Sequence, residues 1–245
     1  MFYQNSWRAC FFTGLAGLVS CSPVVAFEAE DAKALYEAHV KSFYQEQGGE
    51  AIWRESTEGG VVSYWMWAEQ MEMVLDAYEA FADRKRLEEF GALFNGFLKR
   101  HGETWERNDF NDDIMWMVIA CSRAHLLTGE ERYLKAAKVN FDLCYRRAHS
   151  EDLGGGLWWK TEKRSKNACV NGPGAIAACL LAEATKDESY RVKAKGMFAW
   201  VKEHLFDAET GAVADNMRRD GRVHGRVYSY NQGTFVGAAD LLGFH

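Results

Sequence analysis

The chain has 245 residues, 48% of them hydrophobic and 14% aromatic, and a formal net charge of −6. That is ample apolar material for a core, which excludes a disordered chain. Acidic and basic residues are interspersed with no long basic run, which argues against a nucleic-acid-binding protein.

Arg8 and the apolar run Ala9 to Val19, too short to span a bilayer, read as an export signal. The run ends in Leu18-Val19-Ser20-Cys21, similar to a bacterial lipobox in which Cys21 becomes the lipidated first residue. Val24-Val25-Ala26 is a competing cleavage site, and a buried N-terminal helix is the competing structural reading. Residues 1–26 are therefore set aside, and 27–245 are taken as one folded domain. The expected location is outside the cytoplasm, as a cell-surface lipoprotein or a secreted protein, with membrane contact only through an N-terminal lipid.

Helical periodicity then runs through the chain. Asp31 to Gln45 carries an imperfect apolar stripe of Ala34, Leu35, Ala38, Val40 and Phe43. Ser63 to Asp83 and Lys85 to His101 are the next two helices. Asp112 to Leu127 is apolar almost throughout, and Glu131 to Arg147 is amphipathic through Tyr133, Leu134, Ala137, Phe141 and Cys144. Asn171 to Ala184 is again apolar all round, and Glu188 to His204 is again amphipathic. A last helix begins near Asn231. No convincing alternating strand is legible, although Gly211 to Val227 has room for a short hairpin. Cys121, Cys144, Cys169 and Cys179 sit in apolar, helix-like settings and read as free buried thiols rather than disulfides. No metal-ligand spacing and no phosphate-binding glycine loop occur, so no cofactor is implied.

The order of the helices is informative. An all-round apolar helix is followed by an amphipathic one, twice, and the linkers match. Thr128-Gly129-Glu130-Glu131-Arg132-Tyr133 aligns with Thr185-Lys186-Asp187-Glu188-Ser189-Tyr190, and the same offset carries Phe141 onto Phe198. Repeated helical hairpins imply stacking. A helix buried on all sides belongs to an inner layer and an amphipathic one to an outer layer. The expected fold is all-α, an α/α toroid whose inner-helix N-termini converge on one mouth.

Asp112 and Asp113 would stand at that mouth. Two carboxylates opening an apolar helix are costly unless paired, stabilised by the helix N-terminus, or used in chemistry. Adjacent carboxyl groups push their pKa values apart, so that one can be ionised and the other protonated, as glycoside hydrolysis requires. N-terminal capping is the plain alternative.

Four motifs occur in order: Asn111-Asp112-Asp113-Ile114-Met115-Trp116, Gly154-Gly155-Gly156-Leu157-Trp158-Trp159, Lys166-Asn167-Ala168-Cys169-Val170-Asn171-Gly172, and Tyr230-Asn231-Gln232-Gly233. Together they resemble glycoside hydrolase family 76, the endo-α-1,6-mannanases, over roughly Ser63 to Gly243. The resemblance implies an (α/α)6 barrel that cuts α-1,6-mannan or manno-oligosaccharides internally, with retention of anomeric configuration. Carried over, Asp112 is the nucleophile and Asp113 the general acid/base, a mechanism that needs carboxyl groups about 5–5.5 Å apart.

Gly154 to Gly156 would let backbone approach the sugar, with Trp158 or Trp159 as a stacking wall or else as loop anchors. Trp65, Trp67 and Trp116 read mostly as core, with Trp116 also a candidate substrate wall. Asn167, Asn171, Asn231 and Gln232 would bond sugar hydroxyls, or cap helices. Tyr230 is a platform or packs.

The chain departs from the family in two ways. An (α/α)6 barrel needs about twelve helices and about eight are legible, so the expectation is an incomplete toroid, from a C-terminally truncated or a divergent short member. Tyr228-Ser229 stands where a Trp-Thr-like pair is expected. Two other readings compete. One is a non-catalytic glycan-binding surface lipoprotein derived from this fold. The other is a different α/α-toroid carbohydrate enzyme, such as a hydrolase of unsaturated uronides, against which the adjacent acids argue.

Overall fold

The alternation of apolar and amphipathic helices sets the architecture. In the computed structural model, residues 27–244 are described; the export-signal and lipobox readings lie outside them. The order is α1 (Ala29–Phe43), β1 (Tyr44–Gln47), β2 (Glu50–Trp53), α2 (Tyr64–Phe81), α3 (Lys85–His101), α4 (Asn111–Thr128), α5 (Glu131–Ala148), β3 (Ser165–Asn167), α6 (Ala168–Thr185), α7 (Glu188–His204), β4 (Ala214–Arg218), β5 (Val223–Val227) and α8 (Ser229–Leu242).

Helices α2, α4, α6 and α8 pack consecutively against one another as an inner layer. The outer helices α3, α5 and α7 lie on α2, α4 and α6 in turn. The described residues therefore form an incomplete α/α toroid of eight helices. Burial follows the layers. Ten residues of α4 and thirteen of α6 are buried, nearly all round, whereas α5 buries six along one face. The inner helices are stitched by Arg123 on α4, which reaches Glu72, Asp76 and Glu79 on α2 at 3.1, 2.6 and 2.7 Å.

The repeat in the linkers is a repeat in chemistry. Thr128 and Thr185 each donate through Oγ1 to the carbonyl four residues back, Ala124 and Leu181, both at 2.6 Å. Each hydroxyl then accepts from the amide two residues on, Glu130 and Asp187. Gly129 and Lys186 both close their helices in the left-handed region, at φ 74° and 59°.

Two expectations fail. Only the C-terminal part of the α1 stripe faces inward: Leu35 is 62% exposed, and Tyr36, outside the stripe, is the helix's one fully buried residue. Its hydroxyl donates to Glu89 at 2.9 Å beneath the Arg86 guanidinium, so a polar anchor joins Val40 and Phe43, the half-buried end of the stripe, in holding α1 to the core. The second miss is the β1–β2 hairpin, whose strands pair antiparallel around Gly48-Gly49. It closes on α3 because Gly96 has no side chain; a Cβ there would lie 2.0 Å from the Ala51 carbonyl oxygen. The hairpin anticipated in 211–227 is present as β4–β5, extended by β3 into a three-stranded sheet of order β3-β4-β5.

Candidate active site

The site is built by register. The second residue of each inner helix points at one cleft: Trp65 on α2, Asp112 on α4, Cys169 on α6 and Tyr230 on α8. One turn further in, Glu69 and Trp116 complete the lining of a cavity of about 420 Å³. Side chains four apart share a helix face, so one helix start supplies both a rim and a floor.

Asp112 and Asp113 lie in the first turn of α4, but neither is its cap; that position belongs to Phe110, which makes no side-chain cap bond. Oδ2 of Asp112 accepts from Trp159 Nε1 at 2.9 Å and from Cys169 Sγ at 3.4 Å. Its Oδ1 is buried without a hydrogen-bond partner among the described residues. Burial, reinforced by the neighbouring Asp113 charge, pushes the carboxyl up to about 6, against the two donors that favour its ionised form. Asp113 is also raised by burial, opposed by Asn108, whose Nδ2 donates to Oδ2 at 2.9 Å.

A polar frame behind the pair fixes its position. Asn111 donates through Nδ2 to the Trp158 carbonyl at 2.8 Å, and its Oδ1 accepts from Arg147 Nε at 2.7 Å. Arg147 also donates to the carbonyls of Glu106 and Asn108 at 2.9 and 2.6 Å. Arg147 on α5 thus holds both the start of α4 and the loop that carries the partner of Asp113.

The other anticipated residues divide. Trp116 and Tyr230 line the cleft, and Trp159 holds Asp112. Trp158 does not face a ligand: it is 1% exposed, and its Nε1 donates to Ser150 Oγ at 2.9 Å, leaving no free face for a sugar. Asn171 is fully buried and pairs with both backbone groups of Leu157, accepting at 2.7 Å and donating at 3.1 Å. Gln232 does the same with Val213, at 2.8 and 2.9 Å. These amides stand in for a neighbouring strand and are used up by backbone.

Asn167 is buried and accepts from Ser165 Oγ at 2.7 Å. Asn231 is 1% exposed, its Nδ2 3.5 Å from Asp215 Oδ1. The glycine turn also serves packing. At Gly156 (φ 74°) a Cβ would fall 2.7 Å from the Trp200 ring. Lys166 Nζ ties the turn down, donating to the carbonyls of Ser150, Asp152 and Gly155.

Trp65 corrects the opposite way: it is not core but 49% exposed at the rim, while Trp67 is buried. Glu69, Cys169, Asn108 and Arg147 were not anticipated at the site. Cys169 had a signal, since the repeat period that joins Thr128 to Thr185 also carries Asp112 onto Cys169. The other three had none. Among the described residues, no group of three or more His, Cys, Asp and Glu could hold a metal ion.

Comparison with known proteins places this geometry. The family model for glycosyl hydrolase family 76 matches residues 28–243. A solved α-1,6-mannanase of Salegentibacter sp. HEL1_6 is 34% identical with a TM-score of 0.80, over 87% of this chain and 64% of that one. It is an inactive variant with two consecutive aspartates changed to asparagine, in complex with α-1,6-mannotriose. A second inactive variant of that enzyme, with both aspartates changed to alanine and α-1,6-mannotetrose bound, is 35% identical with a TM-score of 0.80, over 87% and 63%. A Listeria innocua protein is 27% identical with a TM-score of 0.77, over 87% and 64%. The chain therefore spans just under two thirds of the length of these structures. A comparison with curated protein sequences gives no match.

Proposed function

Because the chain belongs to glycosyl hydrolase family 76, we propose that it hydrolyses internal α-1,6 linkages of mannan with retention at the anomeric carbon. The observation that carries the reading is the state of Asp112: one oxygen clamped by two donors, the other without a partner, in a cleft walled by Trp65, Trp116 and Tyr230. That is what a carboxylate nucleophile needs, a fixed plane and a free lone pair. Aromatic walls suit the apolar faces of sugar rings.

In the proposed reaction, Asp112 Oδ1 attacks the anomeric carbon as Asp113 gives its proton to the departing glycosidic oxygen. A covalent glycosyl ester forms and the C–O bond to the leaving sugar breaks. Asp113, now ionised, takes a proton from water, whose oxygen attacks the same carbon and releases Asp112. In the unliganded site the Asp113 charge reinforces the upward push on Asp112, so the reactive form is the one in which the proton shared by the pair sits on Asp113.

Two features support the substrate. The similar Salegentibacter enzyme is inactive when two consecutive aspartates are replaced, and its variants hold α-1,6-manno-oligosaccharides. This chain has one pair of consecutive aspartates, Asp112 and Asp113. The export signal read at 1–26 fits an enzyme acting on an extracellular polymer, and we place the protein outside the cytoplasm on that ground.

The test is oligosaccharide release from linear α-1,6-mannan by the chain from Phe27 to His245, beside Asp112→Asn. Release that disappears in the variant is the expected result. A folded chain that binds manno-oligosaccharides without cutting them would instead make it a glycan-binding protein.

A further inference from the structure

The net charge of −6 conceals a cationic rim that only the fold assembles. The segment 160–164 before β3 and the β4–β5 hairpin are far apart in sequence but adjacent in space: Ser165 pairs with Arg218, and the Arg219 amide donates to the Arg164 carbonyl at 2.9 Å. Arg164 and Arg222 are neutralised locally by Glu162 and Asp220. Among the described residues, Lys160, Lys163, Arg218, Arg219 and Arg226 form no ion pair with a carboxylate. The three arginines of this group are exposed.

This rim is continuous with the cleft. The Arg226 guanidinium lies 4.8 Å over the Tyr228 ring, and that ring is 5.6 Å from Tyr230, a cleft wall. On the other flank, Lys160 Nζ lies 5.5 Å over Trp159, the indole that holds Asp112. The cleft itself is acidic, lined by Glu69 and Asp112. An anion is repelled where the linkage is cut and attracted just outside it.

We propose that this rim binds phosphodiester groups on the mannan, carried by sugars outside the cleaved linkage, so that the preferred substrate is an anionic α-mannan. Guanidinium forks match the oxygens of a phosphodiester. The inference rests on the mannan reading and deepens it.

Binding is measured in the Asp112→Asn background, so that the polymer is not consumed. The probes are a phosphodiester-bearing α-1,6-mannan and the same polymer after removal of its phosphate, at low and high salt. We expect the phosphorylated polymer to bind on the order of tenfold more tightly at low salt, and the preference to collapse at high salt. R218Q/R219Q/R226Q should erase the preference with an unchanged melting temperature. R218K/R219K/R226K should retain it. With Asp112 intact, the glutamine variant should cut neutral α-1,6-mannan at the unmodified rate. Equal binding of the two polymers, or a preference that survives the glutamine changes, overturns the proposal alone. Binding to neither polymer, with no release from neutral mannan, overturns the mannan reading beneath it.

Discussion

Asp112 has opposite consequences for chemistry and for stability. Its carboxyl is pushed up to about 6 by burial, above the ~3.9 of an unfolded aspartate. The folded state therefore holds a proton that the unfolded chain has released. The stability this contributes is complete below about pH 4 and is lost as the pH rises through about 6. Asp112→Asn should thus abolish turnover yet raise stability at pH 7.5 by about 1–2 kcal/mol; denaturant titrations at pH 7.5 and 4 would show the gain shrinking at the lower value. Attack needs the ionised form, so kcat/KM should fall as the pH drops below about 6. Trp159→Phe removes a donor that favours that form, and its pH–rate profile should show the acid limb displaced upward. A limb that stays put would mean that Trp159 does not tune Asp112.

At the scale of elements, the amides and the Arg123 clamp carry the weight. Asn171→Ala would leave both backbone groups of Leu157 buried and unpaired, at a cost of about 2–4 kcal/mol. The expected sign is a lowered midpoint in urea with activity loss proportional to unfolding; a cleft role would instead raise KM in a fully folded variant. Arg123→Ala exposes Glu72, Asp76 and Glu79 to one another. Burial already raises Glu72 to about 7 against the pull of Arg123. The variant should lose about 2–3 kcal/mol at pH 8 and recover part of it at pH 5, where these carboxyls can take up protons; melting curves at the two pH values would test this.

Legibility at this scale follows the source of the signal. Helices α3 and α7 were legible to the residue because apolar period and flanking breaks agree. The α1 stripe misled at its N-terminal half because a hydrogen-bonded tyrosine outside it, together with Val40 and Phe43, holds that helix. Strand β1 has no alternation to read, being three exposed residues after a half-buried tyrosine. Asn171 and Gln232 read as sugar ligands or as caps, and neither is their role, because an amide satisfied by backbone and one awaiting a ligand look alike in a sequence.

For the whole molecule, the hairpin repeat was the decisive sequence feature, since it fixed the layers and hence where the acids converge. What it could not reveal was the frame behind them: Arg147 and Asn108 belong to an outer helix and a loop, and no periodicity connects them to Asp113. The fold depends on no covalent cross-link among the described residues. Cys121, Cys144, Cys169 and Cys179 are all free and buried. Thermal midpoints with and without a reducing agent should therefore coincide, and a drop on reduction would reveal a disulfide absent from this structure.

The shared register of Trp65, Asp112, Cys169 and Tyr230 has an evolutionary consequence. Each inner helix delivers one letter of the cleft from the same address, joined one turn further in by Glu69 and Trp116, while most of the rest of that helix is occupied with packing. Point changes at the two exposed addresses, Trp65 and Tyr230, can redraw what the cleft admits without disturbing the scaffold. Diversification among descendants of such a chain would concentrate there, with Asp112 held constant as the wall around it is rewritten.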